Sequence, residues 1–144
     1  MEKHAMEPKN LSGFEEIEHT ADISLKVWAT SMEELFTNAV NGLNQICKPE
    51  IDSSRDVISK DLIFDGVDYE DLLVSLLSEI NYLLQVEQSY LEIRGLRIQP
   101  DKLSVEVNLK KTIGYIREVK AVTYHNLKII HNGNLYSAVI VFDI

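Results

Sequence analysis

The hydrophobic pattern of this chain switches between two periods, and that switch limits the folds that it can adopt. Two long segments before Val86 carry apolar residues every three to four positions, which is the period of an amphipathic helix. From Tyr90 onward, apolar residues alternate with polar ones, as they do in a strand with one buried face. A chain that combines two such helices with a run of strands is predicted to form an α+β domain.

The two helical segments each begin with a capping sequence. Ser31 and Glu34 have the spacing of a capping box, and Asp68 with Asp71 has the same three-residue spacing. Pro49 is predicted to end the first helix, because proline cannot continue the hydrogen-bond pattern. The second helix is predicted to run to about residue 86.

Strands are predicted in six segments that surround these helices. They are residues 14–29, 57–64, 90–98, 103–109, 119–130 and 135–142. Asn132-Gly133 is typical of a hairpin turn, because both residue types tolerate positive φ. The order predicts a two-layer sandwich of strand–helix–strand modules, in which two main helices pack on a mixed, largely antiparallel sheet. Residues 1–13 are expected to be a flexible leader, and residues 14–144 a single domain.

Composition limits the partners and the cellular compartment that are expected for this chain. A net charge of −9 repels phosphate, so direct binding to nucleic acid is not expected, whereas a basic partner or a divalent cation suits such a surface. The single cysteine, Cys47, cannot form an internal disulfide, which favours a cytoplasmic location. No apolar run has transmembrane length, and the polar first residues do not resemble a signal peptide, so no membrane association is expected.

Familiar catalytic motifs are missing from the sequence. It contains no nucleophile elbow, P-loop, dinucleotide-binding glycine pattern or paired-cysteine zinc motif. His19 and His125 each lie at or near the end of a strand-like segment, where a hydrogen-bonded structural histidine is the commoner role.

Carboxylates at two distant positions are the unusual feature. Asp22 begins an alternating strand and is predicted to point away from the apolar layer. Asp143 and Ile144 follow directly after an apolar strand, which is expected to hold the Asp143 side chain and the terminal carboxylate in fixed positions. Two carboxylates about 5 Å apart repel by on the order of 3 kcal/mol at an effective dielectric of about 20. Solvent, a basic residue such as Lys120, or a hard cation would relieve that repulsion.

Four stretches resemble the archease family. Residues 16–23 (EIEHTADI) resemble its opening signature, residues 120–125 (KAVTYH) its second, and residues 142–144 (FDI) its closing one. The leucine-rich helix that starts at residues 71–74 (DLLV) also fits. Ser24 departs from the glycine expected in many relatives, but it lies beside the predicted site rather than in it.

The resemblance covers nearly the whole chain from residue 14 and implies an α/β sandwich with a divalent-cation site. The implied ligands are the side chains of Asp22 and Asp143 and the terminal carboxylate of Ile144, and the implied cation is Ca²⁺ or Mg²⁺. The family acts as a non-catalytic cofactor of the RNA-splicing ligase of the RtcB class. It is thought to speed guanylylation of the ligase histidine and to permit multiple turnovers in tRNA splicing and RNA repair.

Other roles stay open beside this one. His19, Lys120, Tyr124 and His125 are candidates for orienting the carboxylates or for another functional contact, with a structural role as the alternative for each. Two other functions use the same features: a stand-alone metal-dependent phosphoesterase, and a chaperone or adaptor protein.

Overall fold

The computed structural model describes residues 11–144 and contains both predicted helices and a larger number of strands than predicted. The elements are β1 (Gly13–Glu18), β2 (Asp22–Ala29), α1 (Met32–Cys47), β3 (Pro49–Ile51), β4 (Ile58–Asp65), α2 (Tyr69–Gln85), β5 (Ser89–Gln99), β6 (Lys102–Tyr115), β7 (Ala121–Thr123), β8 (Ile130–Asn132) and β9 (Leu135–Asp143). The predicted α+β class with two main helices is confirmed. Of the predicted leader, residues 1–10 lie outside the described residues.

The strands form two sheets rather than one, and every described strand pair is antiparallel. The first sheet has the order β1-β2-β9, with β7 and β8 pairing one after the other along the far side of β9. In the second sheet, the long strand β6 lies between β4 and β5, and its last part pairs with β3. β9 is therefore an interior strand, which agrees with the apolar run in its sequence.

Both helices pack between the two sheets. α1 contacts β1 and β2 of the first sheet and β5 of the second, while α2 contacts β7 of the first sheet and β4, β5 and β6 of the second. The alternating residues Ile23, Leu25 and Val27 of β2 are completely buried on the helix side. A Cβ atom at Gly42 of α1 would lie 2.5 Å from a methyl carbon of Leu25, so glycine permits the close approach of α1 to β2.

Helix capping follows the prediction at both N-termini. The Ser31 hydroxyl oxygen accepts the Glu34 N–H at 3.1 Å, and the Asp68 carboxylate accepts the Asp71 N–H at 2.8 Å. α1 ends at Lys48, which adopts a left-handed conformation before Pro49. Within residues 11–144, neither helix has the length and apolar composition needed to cross a membrane.

The predicted strand over residues 14–29 is wrong in one respect, because it is a hairpin of two strands, β1 and β2. The chain reverses at Thr20 and Ala21, and the His19 N–H donates to the Asp22 carbonyl at 3.0 Å. Neither turn residue is glycine or asparagine, and neither has positive φ. The usual sequence signal for a tight hairpin was therefore missing.

The predicted strand over residues 119–130 is also wrong, since only its two ends pair with β9. The segment between β7 and β8, residues 124–129, is drawn onto the start of α2 instead. The Tyr124 hydroxyl donates to the Asp71 carboxylate at 2.9 Å, and the Ile129 N–H donates to the Glu70 carboxylate at 2.9 Å. By contrast, the hairpin between β8 and β9 is confirmed, with Gly133 at φ 66°.

Candidate cation site

Asp22 and Asp143 lie directly opposite each other on the neighbouring strands β2 and β9. The Asp22 carbonyl accepts its hydrogen bond from His19, on the β1 side, and the Asp143 carbonyl accepts from the Lys120 N–H at 2.8 Å, on the β7 side. The two aspartates therefore form a non-hydrogen-bonded pair. In such pairs the Cα atoms are about 4.5 Å apart and the side chains are at their closest.

Both carboxylates project from the face of the first sheet that points away from the helices. Their neighbours Ile23 and Phe142 are fully buried toward the helices, and successive side chains of a strand point to opposite faces. Asp22 is half-buried and Asp143 is exposed. The prediction that Asp22 points away from the apolar layer is therefore confirmed.

No basic side chain neutralises this pair in the described part of the chain. The ion pair that lies nearest in sequence joins Arg117 to Glu18 at 3.6 Å, and within residues 11–144 neither Asp22 nor Asp143 has a basic nitrogen within 4.0 Å. Like charges directly opposite each other across two strands are destabilising. Among the described residues, this pair of negative charges at one end of the first sheet is therefore uncompensated.

The main chain at Ile144 lies close to the strand ends that carry Asp22 and Asp143. Its N–H donates to the Ala21 carbonyl at 3.4 Å, and its half-buried side chain packs against the core. These contacts place the main chain of Ile144 beside the start of β2, which carries Asp22. Among residues 11–144, no three His, Cys, Asp or Glu side chains converge as a metal site.

The donor set fits a hard divalent cation. It consists of oxygen atoms only, from two side-chain carboxylates and the main-chain end at Ile144, with Asp143 open to solvent. Ca²⁺ and Mg²⁺ prefer oxygen ligands, and both often keep water in their remaining positions. The chemistry of the residues therefore agrees with the cation type implied by the family resemblance.

Two amide side chains of α2, which the sequence reasoning missed, hold the strand beside Asp143. Asn81 Nδ2 donates to the Val119 carbonyl at 2.9 Å, and Gln85 Nε2 donates to the same carbonyl and, at 2.8 Å, to Asn81 Oδ1. Val119 is completely buried, and the next residue, Lys120, donates to Asp143. We call Asn81 and Gln85 the amide clamp. In the sequence, the indication of this pair is that Asn81 and Gln85 are polar, lie four positions apart and border the apolar stripe of α2.

His19 and Lys120 lie next to the carboxylates through their main chains. The exposed His19 belongs to the β1–β2 turn, and its N–H bonds to Asp22. The Lys120 N–H bonds to Asp143, while its side chain lines a groove with Asn81 and Tyr82 of α2. Both residues thus position the backbone that carries the aspartates.

Tyr124 and His125 are anchored elsewhere. Tyr124 is three residues along from Ala121, the neighbour of Asp143, which corresponds to about 10 Å of extended chain. Its hydrogen bond to the Asp71 carboxylate, together with partial burial, raises the pKa of the Tyr124 hydroxyl. The His125 N–H donates to the Thr123 hydroxyl oxygen at 3.3 Å. The Tyr124 contact ties the loop to α2, the His125 contact ties it to β7, and neither contact involves Asp22 or Asp143.

Comparison with known proteins identifies similar chains over the same length. The model of the archease protein family matches residues 14–144. A protein archease from Saccharolobus islandicus (strain Y.G.57.14) is 31% identical, over 93% of this chain and 100% of that one. A protein archease from Methanosarcina barkeri is 29% identical, over 91% of this chain and 95% of that one.

Two solved structures share the fold. The crystal structure of an archease from Thermotoga maritima, described as a possible chaperone, has a TM-score of 0.67 and 24% identity, covering 99% of this chain and 100% of that one. The solution structure of a Methanobacterium thermoautotrophicum protein has a TM-score of 0.66 and 22% identity, covering 92% of this chain and 99% of that one.

Proposed function

Because this chain belongs to the archease family, we propose that it is a non-catalytic protein cofactor that activates an RNA-splicing ligase of the RtcB class. In this proposal it promotes guanylylation of the ligase's active-site histidine and allows repeated turnovers in tRNA splicing and RNA repair. The compartment is the cytoplasm. The net charge of −9 favours a basic partner surface over direct contact with RNA.

The proposed working part is a divalent-cation site formed by Asp22, Asp143 and the terminal carboxylate of Ile144. The observation that supports it is the direct opposition of Asp22 and Asp143 without a basic partner in residues 11–144. A bound Ca²⁺ or Mg²⁺ would supply positive charge that neutralises phosphate oxygens. The chain's own contribution is to hold three oxygen groups on a rigid sheet end, where a partner's active site can reach them.

Ligase self-guanylylation in the presence of this protein tests the proposal. Asp22→Ala and Asp143→Ala should each abolish the stimulation, because each removes one of the opposed carboxylates. Asp61→Ala is the matched control, since Asp61 is an exposed strand aspartate that also lies opposite a carboxylate, Glu106, but in the second sheet. Full stimulation by the Asp22→Ala variant would contradict the proposal.

The terminal carboxylate is tested separately. Extending the chain past Ile144 by one glycine moves that carboxylate away from the aspartates without changing any side chain. We expect weaker cation binding, measured by calorimetry with Ca²⁺ and with Mg²⁺, and weaker stimulation of the ligase. If both survive the extension, Ile144 is not a ligand.

The same preparations distinguish the two other candidate functions. Hydrolysis of phosphoesters by this protein alone, dependent on Asp22, would indicate a metal-dependent phosphoesterase. Suppression of the aggregation of unrelated proteins, without any effect on the ligase, would indicate the chaperone role that is named for the Thermotoga maritima protein.

A further inference from the structure

The outward face of the first sheet is open to solvent in residues 11–144, although part of it is apolar. Both helices pack on the opposite face. On the open face, Ile17 of β1, Val139 of β9 and Ile130 of β8 have exposed fractions of 43%, 44% and 54%. We call this surface the open face. Aliphatic side chains that cluster on an exposed face are typical of an interaction site, whereas isolated ones are not.

The outward face of the second sheet is mostly polar. Its outward residues on the paired strands β4 and β6 are mostly polar or charged, namely Ser59, Asp61, Ile63, Asp65, Lys102, Ser104, Glu106, Asn108 and Lys110. Ile63 is the apolar exception among these residues, but Ile58 of β4 and Ile113 of β6 are also exposed, by 53% and 68%. The exposed isoleucines of the second sheet lie among these polar and charged residues, whereas Val139 and Ile130 of the first sheet line one groove.

A groove interrupts the open face beside β9. β7 pairs with β9 up to Val141, and β8 starts pairing at Ser137, so the stretch between has no strand on that side among the described residues. The gap forms a groove of about 160 Å³, lined by Val139, Ile130 and the long side chains of Lys26 and Lys128. A groove of this size accepts one side chain of a bound protein.

The open face is continuous with the two carboxylates. Ile17 lies opposite Ser24, and Ser24 lies opposite Val141, which forms a row directly beside the pair Asp22 and Asp143. The next row contains Glu15, Lys26 and Val139. Glu15 and Lys26 are opposite in charge and Lys128 adds a positive charge at the groove, so the negative charge of this face is concentrated at the two aspartates at its end.

We propose that the open face is the docking surface for a protein partner that presents an apolar patch beside a cationic pocket, lined by basic side chains or holding metal ions. The apolar patch covers Ile17, Val139 and Ile130, and the cationic pocket meets Asp22 and Asp143. This inference rests on the proposed function, because an enzyme that binds a nucleoside triphosphate has such a pocket. It adds the surface by which that enzyme is held.

Charge favours this occupant over the others. A second copy would bring another net charge of −9 and another pair of aspartates to the same surface, which repel. A nucleic acid would bring phosphates to the same carboxylates. A partner with a cationic pocket instead gains both attraction to the carboxylates and burial of aliphatic area.

The test measures the affinity of this protein for the ligase of the proposed function. Val139→Lys and Ile17→Lys place a charge in the middle and at the side of the open face. We expect each to raise the Kd at least tenfold, and we expect excess protein to restore ligase guanylylation. The matched control is Ile63→Lys, in which an exposed isoleucine of the second sheet is changed in the same way, and its Kd should equal that of the unchanged protein.

The outcomes separate the two proposals. Melting curves of the variants first establish that both exposed-face substitutions leave the protein folded. If Val139→Lys and Ile17→Lys bind the ligase normally while Asp22→Ala fails to stimulate it, the docking surface is wrong and the proposed function stands. If the unchanged protein does not bind the ligase at all, both are wrong. If light scattering shows a dimer that Val139→Lys dissociates, the face is a contact between copies and the inference is overturned.

Discussion

At the scale of single residues, the main feature is the repulsion between two opposed carboxylates of the first sheet. Asp22 and Asp143 occupy the cross-strand position in which side chains are closest, and each is negatively charged. A solvated pair of opposite charges, or two neutral residues, would make a more stable sheet at this point. Asp61 and Glu106 lie opposite each other in the second sheet as well, so stability measurements can compare the two carboxylate pairs.

Asp143→Asn should stabilise the protein when divalent cations are removed by a chelator. The expected gain in the free energy of unfolding is about 0.5 kcal/mol, because a cross-strand repulsion is lifted. In millimolar Ca²⁺ or Mg²⁺ the unchanged protein should gain stability through binding and the variant should not. Urea denaturation with and without the cation measures both effects. Asp61→Asn is the control, and its effect should not depend on the cation.

Cys47 leads to a prediction about pH. Burial at the end of α1 raises the pKa of its thiol from 9.0 to about 11, and this outweighs an opposing effect of Arg117. Below about pH 9 the thiol is protonated in both states, so its contribution is constant. Between pH 9 and 11 the unfolded chain loses the proton while the folded one keeps it, so stability falls as the pH rises. Urea denaturation should show a smaller fall over that range in Cys47→Ala, and an equal fall would contradict the cause.

At the scale of elements, the amide clamp links α2 to the carboxylate site. Asn81 and Gln85 hold the Val119 carbonyl, and the following N–H of Lys120 holds Asp143. A helix on one side of the sheet thus sets the position of a carboxylate on the other side. The side chains that do this touch neither carboxylate, so their effect must be measured through cation binding.

Replacing both clamp residues, in Asn81→Leu/Gln85→Leu, should weaken cation binding about tenfold, which is typical for residues that orient ligands. The Lys120 amide should also exchange hydrogen faster, because its strand is no longer held. Calorimetry and hydrogen exchange measure the two effects. Ser78→Ala, on an exposed position of the same helix, is the control. Unchanged exchange at Lys120 would show that the clamp does not position this strand.

The elements also show how far sequence reasoning reaches. The helices were predictable, because the Ser31 and Asp68 caps and the apolar periodicity are local signals. The turn at Thr20 and Ala21 was not, because it lacks the residues that mark tight hairpins. The loop between β7 and β8 was not predictable either, since contacts of Tyr124 and Ile129 with α2 decide it. Such contacts join residues far apart in the chain.

The candidate site was only partly predictable, because it also combines a local pattern with contacts between distant segments. The alternation around Asp22 placed its side chain on the outer face, and the structure agrees. Its opposition to Asp143 depends on the register of β2 with β9, which local patterns do not encode. The resemblance to a family supplied that pairing in advance. The amide clamp could not be predicted, because a polar residue on a helix does not indicate which distant carbonyl it binds.

At the scale of the whole molecule, the two sheets share one hydrophobic core. Both helices contact strands of both sheets, and a single cluster of buried residues includes members of each. The sheets should therefore not unfold separately, although they are not hydrogen-bonded to each other in the described residues.

Unfolding should be a single transition. Trp28 is the only tryptophan and lies on β2 in the first sheet, so its fluorescence reports on that sheet. Far-ultraviolet circular dichroism reports on both helices and both sheets. The two signals should give the same midpoint in urea, because the shared core couples the sheets. Separate midpoints would show that the sheets are independent units.

The pairing of β2 with β9 has a consequence for synthesis on the ribosome. β2 is made early and β9 follows all the other described elements, so the middle of the first sheet stays incomplete until β9 has emerged. Contacts between such distant segments form slowly. A nascent chain that has not reached β9 thus contains Asp22 without its opposite neighbour, so the candidate cation site is assembled only after β9 has paired.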